Sequence, residues 1–415
     1  MYMFTTRGIF IYGIIAISII SASAFVLLAK ASIAVGDSGE RKIVIWKEGV
    51  PEARKLALME KHGRRVKDLP LVHGSVVTVA NAAEIDALRN VPEVVSIESD
   101  PIAYVAVRTE RDVYGRGDVR TNARSGGSNT ATPQVLPWGV DKIDAELIWP
   151  SGNTANPIKV GVIDTGISAT HPDLSANIKG GVNTITPRKS WNDDNGHGSH
   201  VAGIIAAVNN TQGVIGVAPA ADLYAIKVLN AKGSGYYSDI IEGIQWAINN
   251  NIQVINMSLG GSADYQPLHD AIVAAHTMGI VVVAAAGNSS GAVLYPAAYP
   301  EVVAVSATDS SNTVAPWSSN GPEVDVAAPG VSIYSTYKGT GYATLSGTSM
   351  ATPHVVGASA LLLNTAVGAH DTNANGRWDP SEVRTQLQST AADLGSNGFD
   401  NFYGWGLVSA YAAVQ

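Results

Sequence analysis

From residue 158 onward the chain alternates short, mostly apolar runs with stretches of helical period, and this alternation narrows the possible folds more than any other feature. The runs Ile158 to Ile163, Leu223 to Val228, Ile252 to Met257, Ile280 to Ala286 and Val302 to Ala307 read as strands that are apolar on both faces. Between them, Ser238 to Asn250 and Pro267 to Met278 carry apolar residues at helical spacing. A strand with no polar face must be covered on both sides. The pattern therefore predicts an α/β fold: a mostly parallel sheet with helices on both faces and its functional residues at the carboxyl ends of the strands.

Residues 41 to 107 follow another plan. Lys42 to Trp46, Pro51 to His62, Gly74 to Val79, Ala82 to Asn90 and Val94 to Glu98 alternate strand-like and helix-like runs, which predicts a small, separate α+β domain of ferredoxin-like kind. Residues 108 to 131 hold Arg108, Arg111, Arg116, Arg120 and Arg124 among Gly, Ser, Thr and Asn, and read as an accessible linker before a large domain at 132 to 415. At the amino terminus, Arg7 precedes an uncharged run from Gly8 to Ala29 and a small-x-small sequence at Ala29-Lys30-Ala31. Residues 1 to 31 thus read as a secretory signal peptide, with a retained membrane anchor as the alternative.

Charge divides along the same boundary. Residues 1 to 131 carry 17 Lys+Arg against 14 Asp+Glu, and residues 132 to 415 carry 10 against 21, so the two parts are +3 and −11. A strongly acidic large domain excludes nucleic acid as its natural partner. With no cysteine in the chain, a disulfide, a thiolate metal site and a cysteine nucleophile are all impossible, and an exported protein of this kind needs another staple.

Three glycine-bounded motifs carry nucleophilic chemistry. Asp164 follows the run Val160-Gly161-Val162-Ile163 and precedes Thr165-Gly166, so its carboxylate leaves a strand at the carboxyl end; a turn or cap aspartate is the plainer alternative. His197 lies in Asn195-Gly196-His197-Gly198-Ser199-His200, at the expected start of a helix, whereas His200, one turn in, reads as a packed helix residue. Ser349 opens an apolar helix within Gly347-Thr348-Ser349-Met350, where it is either an ordinary cap or a hydroxyl beside free amides able to hold an oxyanion. Together the three side chains suit a relay in which serine attacks, histidine takes the proton and aspartate orients the imidazole. Asn288, after Ala285-Ala286-Gly287, could aim its amide at the same oxyanion.

At this point the sequence resembles the subtilisin-like serine proteases, on five stretches in the family's order: Val162 to Gly166, His197 to Gly203, Ser258-Leu259-Gly260-Gly261, Ala286-Gly287-Asn288 and Gly347 to His354. The resemblance implies a secreted endopeptidase, monomeric and acting on polypeptides, with Asp164, His197 and Ser349 as the triad and Asn288 in the oxyanion hole. It implies that Gly233-Ser234-Gly235 and Ser258-Leu259-Gly260 clasp substrate as an added β-strand. Leu294, where the family often has glycine, would make the primary pocket shallower. Ser289, where some relatives carry a carboxylate, leaves that pocket without charge, so a medium apolar P1 residue is expected. Tyr237 would form a wall of the P4 pocket. Residues 41 to 104 would be a propeptide that inhibits its own enzyme and assists its folding, with the tail near Ala103-Tyr104 in the active site. The mature chain would then begin between about residues 105 and 133.

Calcium is the expected staple, at two places. The resemblance implies a first site made of Gln134, Asp173, Asn210 and the carbonyls of Val208, Gln212 and Val214. The second is read from spacing alone. Asp371, Asn373, Asn375, Asp379 and Glu382 fall at positions 1, 3, 5, 9 and 12 of an EF-hand loop, with Gly376 at 6 and the backbone of Arg377 at 7. The same residues fit a calcium-free capped turn, since Asp379-Pro380-Ser381-Glu382 has the form of a capping box.

Two rivals remain open on sequence. Gly287-Asn288-Ser289-Ser290-Gly291 matches an esterase nucleophile elbow, with Asp325 and His354 following in esterase order. The chain could also be an inactive binding relative.

Overall fold

The computed structural model describes residues 39–107 and 133–415, so the expected signal segment and the whole of the expected linker lie outside the described residues. Among the described residues, no helix is long and apolar enough to cross a membrane.

The first domain comprises β1 (Glu40–Trp46), α1 (Glu52–His62), β2 (Arg64–Leu69), β3 (Gly74–Val79), α2 (Ala82–Arg89) and β4 (Val94–Ser99). Its antiparallel sheet has the order β2-β3-β1-β4, a ferredoxin-like arrangement. The sequence reading missed β2, because Arg-Arg-Val-Lys-Asp-Leu has no apolar alternation. That strand is an edge, where polar side chains are tolerated and guard against unwanted pairing. Val44, Trp46, Leu58, Met59, Val77 and Leu88 form a small core of its own.

A short strand, β5 (Ile102–Val105), follows. The second domain then runs through α3 (Trp138–Lys142), β6 (Lys159–Asp164), β7 (Ile178–Asn183), α4 (His197–Ala206), β8 (Asp222–Lys227), β9 (Ser234–Tyr236), α5 (Tyr237–Asn249), β10 (Val254–Met257), β11 (Leu259–Gly260) and α6 (Gln266–Thr277). It continues with β12 (Val281–Ala285), β13 (Val302–Thr308), β14 (Val324–Pro329), β15 (Ile333–Thr336), β16 (Tyr342–Leu345), α7 (Thr348–Leu363), α8 (Pro380–Ser389) and α9 (Ala410–Ala413). Seven of these strands make a wholly parallel sheet in the order β14-β13-β12-β10-β6-β8-β7. The expected α/β architecture is thus present.

One apolar cluster packs on each face of this sheet. Val160, Val162, Val254 and Val283 meet α4 and α7 on one side, while Ile163, Ile255, Met257 and Val282 meet α5 and α6 on the other. This two-sided burial is why β10 and β12 are apolar at every position but one, Asn256. Burying one of their large side chains stabilises the fold by about 1.5–3 kcal/mol, so cutting one back to alanine in either layer would loosen the floor of the strand ends above it.

Candidate active site

Three carboxyl strand ends and two helix starts meet above the sheet. Asp164 is the last residue of β6, His197 the first of α4, and Ser349 the second of α7; all three are buried. His197 Nδ1 lies 2.8 Å from Asp164 Oδ1 and 2.9 Å from Oδ2. A carboxylate held this way fixes the imidazole with Nδ1 protonated and leaves Nε2 as the free base. His197 Nε2 is itself buried and has no partner. The expected serine–histidine hydrogen bond is not formed in this state: Ser349 Oγ donates to the carbonyl of Ser258 at 2.9 Å instead. That acceptor also takes the amide of Ala106, at 3.2 Å. Rotation of the serine between staggered χ1 wells is the motion that would redirect the hydroxyl.

What sits on the serine is the chain itself. β5 lies between β9 and β11 as the middle strand of a three-stranded antiparallel sheet, with Ala103 opposite Gly235, Tyr104 opposite Ser234 and Gly260, and Val105 opposite Leu259. Val105 N donates to Gly233 O at 3.0 Å. Every residue of the two segments expected to clasp substrate therefore lies beside this strand. Ala103 is fully buried within the cluster that holds Tyr237 and Leu259, as a P4 side chain would be. The sequence reading put the tail of this segment near Ala103-Tyr104; the residue that reaches the serine is Ala106.

The carbonyl of Ala106 is the focus. Ser349 N donates to it at 3.1 Å. Asn288 Nδ2 is buried without a partner, while Asn288 Oδ1 accepts from Thr348 N (2.9 Å) and Thr348 Oγ1 (3.0 Å), which fixes the amide's orientation. Gly347 explains why the carbonyl can come so close: a Cβ there would lie 2.5 Å from Ala106 O and 3.3 Å from Asn288 Nδ2. An orphaned buried N–H costs about 1–3 kcal/mol, and here it borders an oxygen on which negative charge would develop in acyl transfer.

Several supporting groups had no clear signal in the sequence. Asp193 accepts from Thr165 Oγ1, from the amides of Asn195, Gly196 and Ser199, and from Ser199 Oγ, so one buried carboxylate caps the helix that starts at His197. Lys227, buried at the end of β8 and in register with Asp164, donates to Thr165 O (2.6 Å), Leu229 O (2.9 Å) and Asp194 Oδ1 (2.7 Å). Ser258 Oγ donates to the carbonyl of Ser349 at 2.8 Å and receives Asn256 Nδ2.

His200 is a packing residue: it is fully buried, its Nε2 faces the carbonyls of Ile333 and Ala343, and burial pushes its pKa down to about 3. The esterase constellation is not assembled. Ser289 Oγ reaches only Ser319 Oγ at 3.3 Å, Asp325 is paired with Arg384, and His354 Nδ1 faces Met350 O. Leu294 is half-buried beside Ala106, with its Cβ and Cγ about where side chains at Gly260 and Gly287 would collide with it, 3.0 and 2.8 Å from their ideal Cβ positions.

Both expected calcium loops can be tested for fit. At the first, Gln134 Nε2 lies 2.8 Å from Val208 O, 3.1 Å from Val214 O and 3.4 Å from Asn210 Oδ1. Asp173 Oδ1 accepts from Asn210 Nδ2 and Oδ2 from Val214 N and Tyr342 OH. Three neutral oxygens converging beside a carboxylate suit a hard cation. At the second, Asp371 accepts from the amides of Asn375 and Gly376, and Asn373 and Asn375 both donate to Asp379 Oδ2. Glu382 accepts from Thr372 N, Thr372 Oγ1 and Asp379 N. The capping box is therefore formed, as the calcium-free alternative requires. No group of three or more His, Cys, Asp or Glu side chains able to hold a metal occurs among the described residues, so both loops depend on neutral oxygens.

Comparison with known proteins agrees with this geometry. The profile of the subtilase family matches residues 155–406. Subtilisin E of Bacillus subtilis (strain 168) is 40% identical over 420 aligned residues, covering 99% of this chain and 100% of its own. Subtilisin Savinase of Lederbergia lenta is 48% identical over 283 residues, 68% of this chain and 100% of its own. An alkaline protease of Shouchella clausii is 48% identical over 287 residues, 69% of this chain and 72% of its own. With a carboxylate-held imidazole beside a serine, a strand laid across that serine, and a match spanning the whole chain, this protein belongs to the subtilase family of serine endopeptidases.

Proposed function

We propose that the chain is the zymogen of a secreted endopeptidase in which Ser349 attacks a peptide carbonyl, His197 Nε2 takes the serine proton and Asp164 orients the imidazole. Ser349 N and Asn288 Nδ2 hold the oxyanion. One observation carries this reading: the Ala106 carbonyl receives Ser349 N while two of the unpartnered buried nitrogens, His197 Nε2 and Asn288 Nδ2, belong to the same centre. The Ala106–Val107 bond is then the first bond cut. The acyl group passes to Ser349 Oγ, the proton reaches the new amine through His197, and water releases the first domain as an inhibitor bound by β5. Export is supported by Arg7 and the apolar run Gly8 to Ala29. An organophosphonate fluoride tests the assignment on the matured enzyme: one label on Ser349 is expected, and a label on Ser289, or none, would overturn it.

Leu294 narrows the pocket beside Ala106, so medium apolar P1 residues are favoured. A Leu294→Gly variant is expected to raise kcat/KM for P1 Phe relative to P1 Ala by about tenfold, since each methylene-sized change in an apolar pocket is worth a factor of about ten or more. If P1 Arg were cleaved fastest by the parent, the pocket assignment would be wrong.

Calcium is proposed at the loop of Gln134, Asp173, Val208, Asn210, Gln212 and Val214, where bound ion would tie the start of the second domain to its core. A second ion is proposed at Asp371 to Glu382, where it must compete with the capping bonds of Glu382. In the Ser349→Ala background, Asp173→Ala and Asp371→Ala are each expected to bind one calcium fewer by equilibrium dialysis. Free calcium at 100 times Kd should add about 2.7 kcal/mol of stability per site. An unchanged count in either variant removes that site.

A further inference from the structure

Where β5 enters the cleft, the second domain carries charge that the reaction does not use. Asp239, on the first turn of α5, is 1% exposed and paired with two cations of the first domain, Arg41 and Lys67. The Arg41 guanidinium lies 4.3 Å over the ring of Tyr236 and donates to Ser238 Oγ at 2.6 Å. Lys67 Nζ also pairs with Glu242, one turn along α5, and donates to Thr184 O at 2.7 Å. An aromatic face, a hydroxyl, a carbonyl and two carboxylates thus form a receptor for basic groups, and the occupants in the zymogen are side chains that leave with the propeptide.

Its position relates it to substrate. Ile102 pairs with Tyr236, and Tyr237 N donates to Pro101 O at 2.8 Å, so a strand on this path passes directly over the receptor. Counting Ala106 as the first residue before the cut, Asp100 is the seventh, and its carboxylate accepts from Ser238 N (3.0 Å) and Ser238 Oγ (2.6 Å) with Arg41 Nε 2.7 Å away. Arg41 is what makes an acid tolerable there beside Asp239.

We propose that in the matured enzyme Tyr236, Ser238, Asp239 and Glu242 bind the guanidinium or ammonium group of a polypeptide substrate, six to eight residues upstream of the cleaved bond. The subsite rests on the proposed function, since the path of substrate is taken from β5. It makes the enzyme selective for basic segments even though its primary pocket is uncharged.

The test uses enzyme matured from the full chain and quenched fluorescent peptides sharing an Ile-Ala-Tyr-Val-Ala core. Three upstream extensions are compared: Arg/Lys, Ala and Asp. At low ionic strength the basic extension is expected to raise kcat/KM about fivefold over alanine, through KM, with the gain lost at high salt. In Asp239→Asn/Glu242→Gln the gain disappears while the unextended core is cut as by the parent. Glu242→Gln alone, on a more exposed turn, narrows the gain and serves if the double variant fails to mature. Equal rates for the three extensions, faster cleavage of the acidic one, or a basic preference that survives the double substitution would overturn the proposal. Failure to cut the core peptide would instead count against the proposed function.

Discussion

Replacing Ser349 by alanine is expected to leave the full-length chain uncut at Ala106–Val107 and to lower kcat on peptides by about 10⁶-fold, the loss known for the nucleophile of subtilisin, a relative of this chain. The structure gives the reason for so large an effect. Ser349 carries its hydroxyl on the residue whose own backbone amide already holds the Ala106 carbonyl, the one proposed to be attacked. Folding should survive, because the substitution removes one hydrogen bond, to Ser258 O, and leaves the amide that caps Ala106 O in place. The variant should therefore bind its first domain normally while failing to release it. A chain that matures at the parent's rate would mean that another nucleophile does the work.

Asn288→Ala is the second large effect: kcat falls about 10²–10³-fold with KM little changed, a magnitude established for the corresponding donor in subtilisin. A donor that strengthens only as charge develops acts on the transition state, so the loss belongs in kcat. Asn288 Oδ1 also holds Thr348, next to the serine. Asn288→Asp separates the two roles, because it keeps an acceptor for Thr348 but puts negative charge where the donor was. It should be at least as inactive as the alanine variant. A loss seen mainly in KM would indicate a substrate-clasp role instead.

The sequence carried the candidate catalytic motifs plainly because each stands where a strand or helix begins or ends. Asp164 closes an all-buried strand, and His197 and Ser349 open apolar helices. What it concealed has physical causes. β14 was missed because Asp325 interrupts its apolar run, and only the structure shows that carboxylate neutralised by Arg384, Gln388 and the amide of Ala304. β7 was missed for its two glycines and lysine, which are acceptable on the edge of the sheet. In the sequence Asp193 is one of two adjacent acids, Asp193 and Asp194. Burial beneath the helix start distinguishes it, and burial of a loop carboxylate leaves no periodic mark in a sequence. The receptor formed by Asp239 and Glu242 was legible only as a charge imbalance between the two parts of the chain, since its partners lie some 170 to 200 residues away in sequence.

The most direct test is the mass of the amino-terminal fragment released when the purified full-length chain matures. If the carbonyl on Ser349 N is the one attacked, that fragment ends at Ala106, whatever trimming later occurs downstream. A fragment ending at another residue, or one ending at Ala106 that also appears from the Ser349→Ala chain, would contradict the account.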